Sequence, residues 1–117
     1  MSKKQADINF SKYIRERDKD KPCITCGVYS AKKDCGHFLS RRHEATRYDE
    51  RNSHGQCQKC NRFEYGNQYE HAKAIDRLYG EGTADQLLMK SKMFCKRNKH
   101  DYQMISKEFL KKYNEIK

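Results

Sequence analysis

Two identical cysteine brackets, Cys23-Ile24-Thr25-Cys26 and Cys57-Gln58-Lys59-Cys60, flank a thirty-residue segment that holds His37 and Asn52, and Asn61 follows the second bracket directly. A thiolate pair at this spacing sits on one tight turn and gives a metal ion two ligands. Two such pairs complete a tetrahedral all-sulfur set. Zinc suits that set, and soft sulfur donors disfavour the cations that seek hard oxygen ligands. An iron–sulfur cluster or thiol redox chemistry uses the same residue type and stays open on spacing alone. A zinc ion saturated by Cys23, Cys26, Cys57 and Cys60 has no free position at which to activate water. Any chemistry must then come from residues between and beside the brackets.

Those residues suit hydrolysis of a phosphodiester. Such a reaction needs a base to take a proton from water, a cation to offset charge on the leaving oxygen, and cationic side chains to hold the backbone. His37 fits the base, because imidazole titrates near neutral pH. Asn61 fits a ligand for Mg²⁺ or Mn²⁺, since magnesium keeps most of its waters and needs few protein oxygens. Asn52 fits a tie between its loop and the His37 strand that fixes the ring. Arg41, Arg42, Arg47 and Arg62 are the candidate phosphate contacts. Each residue singly has a plainer role: a structural histidine, an asparagine capping a helix, solvated arginines. Their coincidence in one clamped segment carries the hydrolytic reading. A zinc module that binds nucleic acid without cutting it explains the charge and the cysteines equally well, but not the His–Asn–Asn set.

The rest of the chain must position these groups with little apolar material. Of 117 residues, 35% are hydrophobic and 36% charged, with no Trp. A chain this small and polar buries little apolar surface, and a bound metal commonly takes the place of the missing core. The formal charge of +10 favours a polyanionic partner, nucleic acid first. The charged start Met-Ser-Lys-Lys-Gln lacks the apolar stretch of a signal peptide, and no run reaches membrane-spanning length. A reducing cytoplasm is the expected setting, where paired cysteines bind metal more often than they form disulfides. Cys35 and Cys95 are left over: Cys95 reads as a packed helix residue, Cys35 as a neighbour of the site or strand filler.

Periodicity predicts a helix over residues 5–19, with Ile8, Tyr13 and Ile14 as its apolar residues. Residues 28–39 read as a short hairpin and residues 40–56 as a long polar loop. A helix is expected from Asn61 to Tyr79, weakened at Gly66, and another after a Thr83–Gln86 capping box, through Phe94. Asp101 reads as the cap of a last helix. There Ile105, Phe109, Tyr113 and Ile116 share one face, for core packing or dimerisation. His71 reads as helix surface, and His54 receives no role.

The His37, Asn52 and Asn61 set resembles that of the HNH, or ββα-metal, endonucleases, as an H-N-N variant. A closer resemblance is to the lambdoid-phage NinG family, also called Rap. It lies in Ile14-Arg15-Glu16-Arg17-Asp18, Pro22-Cys23-Ile24-Thr25-Cys26-Gly27, Asp34-Cys35-Gly36-His37-Phe38, Arg47 through Cys57, Cys60-Asn61 and Gly66-Asn67, and covers about residues 10–80. The resemblance implies one α+β, mainly helical domain over residues 1–117. It would be a zinc-stabilised ββα-metal core at about 20–80, with an N-terminal helix before it and C-terminal helices at about 83–117. It also implies a structure-specific DNA endonuclease, dependent on Mg²⁺ or Mn²⁺, that cuts branched recombination intermediates such as Holliday junctions and D-loops in the host cytoplasm. Its partners would be branched DNA and phage or host recombination proteins, and a homodimer would bring two sites to one junction. Two departures stand out. Many HNH enzymes carry Asp directly before the catalytic His, where this chain has Gly36, and Asp34 becomes the candidate second metal ligand. Longer members have a basic N-terminal extension, whereas this chain is expected to start almost at the nuclease domain.

Overall fold

Ala6, Phe10 and Ile14 recur every four residues, so a helix puts them on one face. Helix α1 (Ser2–Arg17) forms there and buries all three in the computed structural model, which describes residues 2–63 and 67–117. Ile8, expected on the apolar face, is exposed, because two residues from Phe10 is the far side of a 3.6-residue turn. Helix α4 (Lys99–Ile116) packs along α1. Phe109 meets Phe10 edge to face at 4.8 Å, and the Asn9 amide donates to the Ser106 carbonyl and hydroxyl at 3.1 and 2.8 Å. Phe109 is thus spent inside the molecule, while Ile116 stays exposed. The cap of α4 is Asn98. Asp101 is its third helical residue and closes a capping box by accepting from the Asn98 N–H at 2.9 Å.

Strand β1 (Asp34–His37) pairs antiparallel with β2 (Ser53–Gln56), with His37 opposite Ser53 and Asp34 opposite Gln56. The hairpin expected over residues 28–39 is therefore not the one that forms. Its partner strand lies in the segment expected to be loop. Ser53-His54-Gly55-Gln56 has no apolar residue to announce a strand, yet all four are buried. Polar partners satisfy it. Arg17 donates to the Ser53 carbonyl at 2.8 Å and to both oxygens of Asp18, which accepts from the Gly55 N–H at 2.8 Å. Burial opposes the Asp18 carboxylate, but Arg17 and the Gly55 N–H outweigh it and hold its pKa below the ordinary value. Between the strands, two 3-10 turns (Glu44–Thr46 and Glu50–Asn52) order the chain and bury Thr46, Tyr48 and Asn52.

Helices α2 (Gln68–Tyr79) and α3 (Thr83–Ser91) cover the other side with Ile75, Ala84 and Leu87 against Phe38 and Leu39. The helix expected from Asn61 starts later, at Gln68. Asn61 lies in a wide turn of π-helical pitch, Lys59–Phe63, and Gly66 lies outside the described residues. The Thr83–Gln86 capping box is absent. Gly82, at φ +92°, precedes the helix, and Asp76 accepts from the Ala84 N–H at 2.8 Å in place of a cap. Helix α3 stops at Ser91, so Cys95 lies in the connection to α4 rather than in a helix.

His71 is wholly buried, not on the helix surface. Its Nε2 lies 3.1 Å from His54 Nδ1, and His54 Nε2 lies 2.9 Å from the Tyr79 hydroxyl. Burial pushes these imidazoles down, His54 to about 4 and His71 to about 3, so both are neutral at pH 7. They join β2 to α2 as packing groups. The result is a mainly helical α+β fold built on a two-stranded sheet. None of its described helices is long and apolar enough to cross a membrane.

Candidate functional site

The first bracket forms a knuckle. The Cys23 N–H donates to Val28 O and the Gly27 N–H to Cys23 O, both at 2.9 Å, with Gly27 at φ +76°, where glycine has no steric penalty. The second bracket follows β2, and the Ile24 N–H donates to Gly55 O at 3.1 Å, which fastens the two together. All four sulfurs lie within 4.8 Å of one another, and those of Cys26 and Cys57 are 3.7 Å apart. Tetrahedral zinc with bonds of about 2.3 Å needs sulfurs about 3.8 Å apart. The four thiols therefore fit zinc in type, number and spacing.

On the other side of the sheet, His37 ends β1 above a cleft of about 450 Å³. Asp34, Arg41 and Asn61 line the same cleft, and α1 contributes Asp7 and Arg15. The wide turn after the second bracket delivers Asn61, whose amide Nδ2 donates to Asp34 Oδ2 at 3.0 Å. Arg62 grips the same carboxylate with both ends of its guanidinium, at 2.9 and 3.1 Å. The His37 ring packs 6.0 Å from that of Phe10. Burial, then the charges of Arg41 and Arg47, push its pKa down to about 4, so the imidazole is neutral at pH 7.

A family model described as Bacteriophage Lambda NinG protein matches residues 2–117. The chain belongs to the NinG family. Protein ninG of Salmonella phage P22 is 35% identical over 113 residues, which is 90% of this chain and 56% of that protein. Protein ninG of Escherichia phage 933W is 38% identical over 86 residues, 72% of this chain and 43% of that protein. Protein ninG of Escherichia phage lambda is 37% identical over 86 residues, 72% of this chain and 42% of that protein. The chain thus spans about half the length of the curated relatives it matches. No solved structure matches it.

In this NinG chain, His37, Asp34, Asn61 and Arg41 come together in the cleft, and Arg62 reaches it through Asp34. Asn52 does not line the cleft. It is wholly buried, its Oδ1 accepting from the Leu39 N–H and its Nδ2 donating to the Leu39 carbonyl, both at 3.0 Å, while its own carbonyl accepts from the Phe38 N–H at 2.7 Å. It clamps the two residues that follow His37. Asn52→Ala leaves the Leu39 N–H and the Leu39 carbonyl without their side-chain partner, at about 1–3 kcal/mol for each orphaned group. A thermal melt should show the drop.

Arg42 is exposed outside the cleft, and Arg47 is not free for phosphate. The Arg47 guanidinium donates to both oxygens of Asp7, at 2.9 and 2.6 Å, and to Arg41 O at 2.5 Å. A Cβ at Gly36 would lie 1.9 Å from the side-chain oxygen of the buried Gln56, so an aspartate there would force that side chain to move. Cys35 packs against the α1–α4 core, and burial pushes its thiol up to about 12, far from a reactive thiolate. Sequence reasoning missed Asp7 and Arg15. Arg15 belongs to the Ile14–Asp18 stretch, but a flanking helix gives no sign that one of its faces walls the cleft.

Proposed function

We propose that this chain is a metal-dependent endonuclease of the HNH type, with a ββα-metal core, that cuts branched DNA. The observation that carries the reading is the gathering of His37, Asp34, Asn61 and Arg41 around one open cleft. The chain order supports it too: β1 ends in the histidine, β2 follows, and a turn bearing Asn61 leads to α2. His37 takes the proton of the attacking water, and its neutral imidazole is the form that can do so. Asn52 holds the backbone after His37 and so fixes the ring's direction. Arg41 holds a phosphate beside the scissile linkage.

The Asp34 and Asn61 oxygens are hard donors at a cleft that opens to water, which fits Mg²⁺ or Mn²⁺. When bound there, such a cation supplies positive charge to the leaving oxygen. Asn61 donates through Nδ2 to Asp34, which leaves its carbonyl oxygen to serve as a ligand. Asp34 must first release Arg62, whose side chain is 56% exposed against 19% for Asp34, and an ion pair with one partner largely in solvent is modest in strength. Arg62 is then free for DNA.

The test is incubation of the zinc-loaded protein with an end-labelled four-way junction and a linear duplex of matched sequence, with and without Mg²⁺. Selective, Mg²⁺-dependent nicking of the junction is expected. Tight junction binding with no nicking in either Mg²⁺ or Mn²⁺ would leave a zinc-stabilised DNA-binding module instead.

A further inference from the structure

A second cleft, of about 390 Å³, opens beside the first and shares Arg15 and Asp34 with it. The segment between the first zinc bracket and β1 forms one wall with Lys32 and Lys33, and Lys19 from just past the end of α1 closes it. Lys19 pairs with Glu16, but Arg15, Lys32 and Lys33 differ from the cations that staple the fold. Arg17, Arg47 and Arg51 each grip a carboxylate. Arg15 donates instead to the Ser11 hydroxyl at 2.9 Å, and Lys33 to the carbonyls of Lys19 and Ser30, both at 3.0 Å. Among the described residues, no carboxylate lies within salt-bridge distance of Arg15, Arg41, Lys32 or Lys33. Asp34, at the junction of the clefts, is the acidic group they share, and Arg62 and Asn61 already satisfy it.

We propose that the two clefts form one track for a phosphodiester backbone, in which Arg15 binds a phosphate where they meet and Lys32 binds the next stretch of the same strand. The strand leaving the scissile linkage thus runs over residues 31–34 rather than along α4. Unpaired cations along a concave path attract a polyanion, and each phosphate they neutralise releases counterions. The proposal rests on the endonuclease reading only for the location of the scissile linkage.

Fluorescence anisotropy of a labelled four-way junction, titrated over a KCl series without added divalent metal, tests it. Arg15→Ala and Lys32→Gln are each expected to lower the slope of log K against log salt by about 1 and to weaken low-salt binding roughly threefold to tenfold. Lys111→Gln, an exposed α4 lysine off the track, is expected to keep the wild-type slope. Wild-type slopes in both track variants, or an equal drop in Lys111→Gln, overturn the proposal. Circular dichroism checks that each variant is folded, and Arg15 and Lys32 are both exposed. Nicking by the wild type is measured in parallel. Reduced slopes without nicking keep the track and remove the endonuclease. Nicking with unchanged slopes keeps the endonuclease and removes the track.

Discussion

Replacing His37 by Ala is expected to slow Mg²⁺-dependent nicking of a four-way junction by about 10²–10⁴-fold, the usual contribution of a positioned base. Zinc content, melting temperature and junction affinity should stay close to wild type. The side chain is half-buried at the end of β1, where its ring packs on Phe10 and bonds the Arg47 backbone, while the pairing of β1 with β2 is carried by the main chain. Loss of the ring therefore removes a proton acceptor and leaves the frame. The pH profile adds a second readout. Burial and the neighbouring Arg41 charge disfavour the imidazolium, and the pKa sits at about 4. The neutral base is thus fully present above roughly pH 5, and the rate should fall only below that, as the proton returns. A His37→Ala protein that cuts at the wild-type rate removes His37 as the base, whatever its affinity for DNA.

What could be read from the sequence divides along a physical line. Metal-ligand spacing is local, so the two brackets announced the thiol cluster without knowledge of the fold. Helical stripes are local too, and the positions of α1, α3 and α4 follow from them to within a few residues. The misses that shape the site are places where distant polar groups decide the outcome. Strand β2 has no apolar alternation. It is a strand because Arg17 and Asp18, from the end of α1, meet its carbonyl and N–H groups. His71 looks like surface until His54 is known to face it from β2. Arg47 and Arg41 are near neighbours in a basic loop. One is locked onto Asp7 and the other lines the cleft, a difference set by a carboxylate forty residues earlier in the chain. The site shows the same pattern. His37 and Asn61 were singled out by type and order and the fold brings both to one cleft, but the cleft wall from α1 depends on how that helix docks.

The docking of β2 and of Asn61 makes the thiol cluster the other decisive position, and Cys57→Ser is expected to unfold the protein at ambient temperature. Among the described residues, the two hydrophobic clusters contain five buried residues each, a small reserve for a domain of this size. Total stability of a domain this size is about 5–15 kcal/mol, and zinc bound to four thiolates contributes on the order of 10–16 kcal/mol in small zinc modules. Losing the ion would therefore take away energy comparable to the whole, and a serine in place of one thiolate weakens the hold on it. It also acts at a sensitive place. Cys57 directly follows β2, and its carbonyl accepts from the Asn61 N–H at 3.0 Å, so the change loosens the strand and the turn that delivers Asn61 to the cleft. Far-UV circular dichroism should show lost helix, and mass spectrometry under native conditions should show lost zinc. Cys95→Ser, in the α3–α4 connection and outside the cluster, should keep both. A Cys57→Ser protein that melts and binds junctions like wild type would mean that metal at these sulfurs does not hold the fold together.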